Sequence, residues 1–194
     1  MENNSVYRRA SIIYTTIDLI DEIGIQAVST REIARRQGIS QGTVFQYFPK
    51  KSDILKSVLE HYSIFDQDID TTIKADKKPP KEALYFIWDT YTAYYENYPQ
   101  ITSMMQAYDV LKNDPELGEG VKDIFFKRME LIQKLIEAGQ AAGTIRNDIS
   151  SNLLTDIITS TVRGICQKWR MSGYSFSLRE QTKQAMDVLI GAFA

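Results

Sequence analysis

The sequence predicts an all-α protein: a small N-terminal helix-turn-helix unit joined by a long helix to a larger C-terminal helical bundle. Apolar residues recur three or four apart through nearly every segment, and no alternating run bounded by turn residues competes with them. The composition agrees, since 194 residues with 43% hydrophobic content and a formal charge of -2 describe a globular chain. Disordered and collagen-like classes are excluded on that ground.

Ala10, Ile13, Ile17 and Ile20 share one face of a first helix, which Gly24 closes. Ser29 stands three residues before Glu32, the spacing of a capping box in which hydroxyl and carboxylate satisfy orphan amides reciprocally. This opens a short second helix that stops at Gly38. Ser40 is placed to cap a third helix, from Gln41 to about Tyr47, and Pro49 separates that helix from a fourth. From Lys51 onward Ile54, Val58, Tyr62, Phe65, Ile69 and Ile73 form one unbroken stripe, which predicts a single long helix leaving the N-terminal unit. The domain boundary falls inside it, giving units 1–52 and 53–194. Lys77-Lys78-Pro79-Pro80, Pro99, Asn113-Asp114-Pro115, Gly143 and Ser172-Gly173 divide the remainder into helices at about 81–97, 100–111, 116–141, 150–171 and 178–193. No solenoid repeat or low-complexity tract is present.

One cysteine and one histidine cannot assemble a Cys/His zinc site or an intrachain disulfide. A reducing cytoplasm suits such a chain, and neither a signal core nor an eighteen-residue apolar run is expected to take it to a membrane. No metal or cofactor motif is found. A nucleophile with an adjacent base is also missing, because His61 and Cys166 lie on different predicted helices; tyrosine or carboxylate chemistry stays open.

Two short helices joined through Gln37-Gly38-Ile39-Ser40 have the dimensions of a helix-turn-helix, whose second helix enters the DNA major groove. Charge strengthens that reading. From Ser29 to Lys56 six basic residues (Arg31, Arg35, Arg36, Lys50, Lys51, Lys56) outweigh two acidic ones, a local balance of +4 in a chain of net -2. Ile33, Ala34, Ile39, Val44 and Phe48 are expected in the core. Arg35 and Arg36 fit a solvated face.

Thr30-Arg31-Glu32-Ile33-Ala34, followed by Gly38-Ile39-Ser40-Gln41-Gly42-Thr43-Val44-Phe45-Gln46-Tyr47-Phe48 and Lys51, resembles the TetR-family transcriptional regulators over roughly residues 8–60. The resemblance implies a homodimer that binds double-stranded DNA through its N-terminal units. It also implies a variable C-terminal domain that takes a small-molecule effector and dimerises through its last two helices. Thr30 and Lys51 match positions that hold DNA phosphates, where a helix N-terminus and an ammonium group suit the task. Gln41, Gly42, Thr43 and Gln46 match the reading face of the recognition helix, and Tyr47 matches a phosphate-reaching aromatic position. Arg31 adds to the basic surface, and Ser40 serves as cap, as phosphate contact, or both. Phe45 and Lys50 depart from the family pattern, where tyrosine and a capping Ser, Asn or Asp are usual. Phe45 is therefore expected to pack, and the cap at Lys50 to be weak.

Eight of the twenty-one aromatic residues fall between positions 85 and 108. That density exceeds what one helix face requires. Trp88, Tyr91, Tyr95, Met104, Met105, Tyr108, Phe125 and Met129 are the expected lining of an effector pocket for an apolar or aromatic molecule, with plain core packing as the competing reading. The helix at 150–171 carries two adjacent apolar rows. Leu154, Ile158, Val162 and Cys166, with Met186 and Leu189 of the last helix, are assigned to the dimer interface.

The combined expectation is a ligand-responsive, sequence-specific DNA-binding regulator, a repressor reading a pseudo-palindromic operator. The alternative is a helical small-molecule binding protein with a vestigial DNA-binding unit, suggested by the missing hydroxyl at Phe45.

Overall fold

The computed structural model describes residues 2–193, and among them every regular element is helical. In chain order these are α1 Glu2–Ile23, α2 Thr30–Gln37, α3 Gln41–Tyr47, α4 Lys51–Tyr62, α5 Asp66–Ala75, α6 Pro80–Asn97, a 3₁₀ turn Pro99–Ser103, α7 Met104–Leu111, α8 Gly118–Ala141, α9 Ser151–Met171 and α10 Leu178–Ala192. No helix among the described residues is long and apolar enough to cross a membrane. The chain packs as two compact units: the first runs through Ile64 and takes in Gln100–Ile124, and the second holds Phe65–Pro99 and Phe125 onward. Residues 53–64 and 100–124 therefore pack with the N-terminal helices, although the boundary read from sequence groups them with the remainder.

In the first unit α1 packs on α2 and α4, and α2 packs on α3. Ile12, Ile17, Leu19, Ile33, Val44, Phe48, Ile54 and Val58 are fully buried there. Truncating Phe48 to alanine in such a core costs about 3–5 kcal/mol. The turn between α2 and α3 depends on Gly38, which adopts φ 64°, the left-handed region open to glycine, and lets Ile39 N–H reach the Ala34 carbonyl at 3.0 Å. Ser29 Oγ accepts from Glu32 N–H at 3.1 Å, but Glu32 spends its carboxylate on Arg35. The expected capping box is thus half formed.

The single long helix expected from Lys51 onward is broken. α4 ends at Tyr62, Ser63 folds back with its hydroxyl and amide both donating to the Leu59 carbonyl, and α5 starts afresh at Asp66. Hydrophobic spacing persists across the break because Phe65 and Ile69 resume the stripe, so periodicity alone could not reveal it.

In the second unit α10 packs on both α6 and α9, and α5 packs on α6. Ile69, Leu84, Ile87, Ile132, Ile136, Leu154, Ile158, Leu178 and Met186 form its core. Gly139 of α8 leaves room for Ile145, since a Cβ there would sit 2.6 Å from Ile145 Cδ1 and make that side chain shift.

Candidate functional site

The helix-turn-helix is held by contacts reaching in from α1 and α4. Arg9 donates to the Tyr47 carbonyl at 3.0 Å and to Ser57 Oγ at 3.2 Å, and its guanidinium lies 4.2 Å from the Phe48 ring centroid. Gln37 donates to the Ser11 carbonyl and Thr15 Oγ1, and accepts from Ser11 Oγ at 2.9 Å. These fix the end of α2 and the end of α3. Sequence reasoning misses Arg9, because its partner lies 38 residues away and no local pattern marks it.

At the start of the recognition helix α3, Ser40 Oγ accepts from Thr43 N–H at 3.0 Å and lies 2.9 Å from Thr43 Oγ1. The capping role of Ser40 is therefore met within the chain. Gln41 donates its amide to Thr30 Oγ1 at 2.7 Å, and Thr30 is only 9% exposed. The two residues matched to DNA contacts bind each other, and the Thr30 hydroxyl, which accepts in this pair, keeps its own proton to donate. Arg31, Gly42 and Gln46 are exposed; Thr43, Tyr47 and Lys51 are half-buried. Phe45, expected to pack, instead stands 43% exposed on the same helix. An open phenyl ring on a recognition helix can touch a thymine methyl.

Arg35 pairs with Glu32 at 2.6 Å and Arg36 with Glu22 at 2.5 Å, which marks them as a solvated, internally neutralised face. The start of α4 is better capped than Lys50 suggests, because Asp53 Oδ2 accepts from the Lys50 amide at 3.0 Å. His61, half-buried, meets Tyr14 edge-on with ring centroids 5.1 Å apart, and burial lowers its pKa from the ordinary 6.5.

Within the second unit an aromatic cluster surrounds one ion pair. Tyr91 and Tyr95 are nearly buried and stack at 6.2 Å between centroids, with Trp88 tilted 6.1 Å from Tyr91. Asp66, the first residue of α5, accepts two hydrogen bonds of 2.8 Å from Arg128 of α8 and a third of 2.8 Å from the Tyr91 hydroxyl. The Arg128 guanidinium also lies 4.7 Å from the Tyr91 ring centroid. Phe125 and Met129, on the same helix as Arg128, are half-buried. Of the other expected pocket residues, Met104, Met105 and Tyr108 belong to the first unit. Met104 is fully buried and Tyr108 meets Tyr62 edge-on.

A cavity of about 330 Å³ lies between α6 and α10, lined by Phe86, Trp88, Thr92, Thr182, Lys183 and Met186 among others. Asp89 and Arg179 pair at its edge, and burial, with the hydrogen bond of 2.8 Å that the Tyr85 hydroxyl donates to Asp187, pushes the Tyr85 pKa up to about 12. Met186 thus faces this chain's own interior.

The row assigned to the dimer interface requires correction. Leu154, Ile158, Val162, Cys166 and Met186 are each 5% exposed or less within the single chain, so their side chains are already covered by its own core. The open row is the neighbouring one: Leu153 is 50% and Val188 72% exposed, while Ile157, Ile165 and Leu189 are half-buried. Of the residues assigned from sequence, Leu189 alone remains accessible.

Residues 12–58 match the model for bacterial regulatory proteins of the tetR family, and residues 59–192 match that for the YsiA-like protein C-terminal region. The fatty acid metabolism regulator protein of Bacillus subtilis is 22% identical over 180 residues, covering 92% of each chain. Among solved structures, FadR from Bacillus subtilis in complex with stearoyl-CoA superposes with a TM-score of 0.79 at 21% identity, over 95% of this chain and 99% of that one. MbdR from Azoarcus sp. CIB gives 0.81 at 21% identity, over 95% and 98%.

Proposed function

Because the chain belongs to the TetR family of bacterial regulatory proteins, with a YsiA-like C-terminal region, we propose that it represses transcription as a homodimer on a pseudo-palindromic operator and lets go when an apolar acyl chain enters its second unit. The DNA-binding half rests on one observation above the others. α3 is capped by Ser40 at its start and held by Arg9 at its end, with an open face of Gly42, Phe45 and Gln46 beside the basic start of α4. Such a helix is held rigidly while its reading side chains stay accessible, which base readout needs.

An apolar effector is supported by the aromatic cluster of Trp88, Tyr91 and Tyr95. The stearoyl-CoA bound to the Bacillus subtilis relative makes an acyl thioester the first probe. The effector shifts a population: it binds one arrangement of the second unit better, and the operator binds the other. The dimer forms through the open row of α9 and α10, with Leu153, Ile157, Ile165, Val188 and Leu189 meeting their counterparts about a two-fold axis. Its localisation on this reading is the cytoplasm, where operator and acyl thioesters meet.

The test is fluorescence anisotropy of a labelled operator duplex titrated with stearoyl-CoA. Release by stearoyl-CoA and none by coenzyme A alone is the expected result. A complex that persists in both titrations removes the acyl-chain reading. Val188→Lys is expected to yield monomers in sedimentation velocity, and an unchanged dimer would place the interface elsewhere.

A further inference from the structure

The first turn of α4 and the turn that precedes α8 meet at a single carboxylate. Glu116 Oε1 lies 3.1 Å from Lys50 Nζ, Glu116 Oε2 accepts from Ser52 Oγ at 2.5 Å, and Lys56 Nζ approaches Oε2 at 3.9 Å. The Lys50 ammonium and the Ser52 hydroxyl at the N-terminus of a twelve-residue helix, with the Lys56 ammonium one turn further on, form the kind of donor set that proteins use to hold phosphate. The occupant here is a carboxylate of the protein itself. These donors flank Lys51, the position matched to a DNA phosphate contact.

The turn that delivers Glu116 is built, not incidental. Asp114 Oδ1 accepts from the amides of Glu116 at 2.9 Å and Leu117 at 3.0 Å, and Asp114 N–H donates to the Leu111 carbonyl at 2.9 Å. Gly118 comes next, where a Cβ would lie within 2.6 Å of the Lys112 carbonyl oxygen, so the backbone can close on itself only with glycine there. Hydrogen bonds from Ser52 and Lys50 hold the Glu116 carboxyl below the usual glutamate range, and it stays charged at neutral pH.

We infer that Glu116 is an internal phosphate surrogate: its carboxylate occupies the Lys50–Ser52 anion site in the DNA-free protein and is displaced by a backbone phosphate of the operator. This rests on the DNA-binding function of the family and sets its strength. Every operator must compete with a tethered anion, which lowers affinity without regard to sequence, since phosphate contacts carry no base information.

The test uses the full chain and a fluorescent duplex of arbitrary sequence, with binding constants measured across a salt series. Glu116→Gln and Glu116→Ala are each expected to tighten binding about threefold to tenfold at low salt and to steepen the salt dependence by up to about one phosphate's worth. Glu119→Gln is the control for net charge alone. It lies in the same unit, is 98% exposed and stands 4.0 Å from Lys122, so its effect should be much smaller. In a Lys50→Ala/Ser52→Ala background the gain from Glu116→Gln should vanish, because the site it vacates no longer exists. Equal gains from Glu116→Gln and Glu119→Gln, unchanged or weaker binding in both Glu116 variants, or a gain that survives in the double background would each overturn the inference. Circular dichroism melts of the same samples separate misfolding from weaker binding, and loss of duplex binding by a Glu116 variant that still melts as the parent does counts against it. A failure of all variants and parent to bind duplex would instead reject the family-level DNA-binding reading.

Discussion

Asp66→Ala removes the acceptor at the centre of the second unit's aromatic cluster. It takes the bidentate partner from Arg128, whose side chain is 15% exposed, and an acceptor from the hydroxyl of Tyr91, a residue 5% exposed. Breaking a fully buried ion pair from one side costs about 3–5 kcal/mol. Asp66 keeps 25% of its side-chain surface in water, so solvent screening reduces that to about 2–3 kcal/mol. For a chain of this size each kcal/mol moves the melting temperature by about 2–4 °C. A drop of about 4–12 °C is therefore expected in a melt followed at 222 nm, with protein concentration held constant because dimerisation also shifts the midpoint. Asp66→Ala/Arg128→Met should recover part of the loss, since it also removes the charge that Asp66 balances. A fall under about 1 kcal/mol, or no recovery in the double variant, would refute the claim that this pair is structurally costly to break.

The same geometry sets the outcome for four further variants. Lys51→Ala should weaken binding to all duplexes alike and lower the salt slope by about one, whereas Gln46→Ala should relax preference at particular bases by about 1–3 kcal/mol, both read from salt-series titrations on operator and scrambled duplex. Arg9→Met should cost about 1 kcal/mol through the lost bonds to Tyr47 and Ser57 and speed amide exchange in α3. His61 should make the first unit acid-sensitive. Burial depresses its pKa, so the unfolded state takes up the proton first and stability is full above about 6.5 and falls as pH drops through and below that value. His61→Gln should flatten the melting temperature between pH 7.5 and 5, and an unchanged slope would assign the acid sensitivity to other groups.

The first three helices are legible in the sequence because their signals are local. Ser29, Gly38 and Ser40 act through neighbours within three to five residues, and each stands where its capping chemistry requires. The features that escape are set by long-range packing. The α4–α5 break carries no glycine or proline, and the apolar stripe runs through it in register. The two apolar rows of α9 are one residue apart, so periodicity offers both and only the packing of α10 and the rest of the core decides which is covered. Phe45 has the composition of a core residue, yet the three-helix packing turns it outward. The Glu116 clasp joins positions 64 residues apart and leaves no trace in the local pattern.

Selection of bound duplexes from a random DNA library, repeated at two salt concentrations, tests the central claim most directly. An enriched inverted repeat that survives the higher salt is the predicted result, since base readout persists where phosphate attraction is screened. Binding that vanishes equally for all sequences as salt rises, with no enriched motif, would contradict it and return the aromatic second unit to the role of a stand-alone ligand carrier.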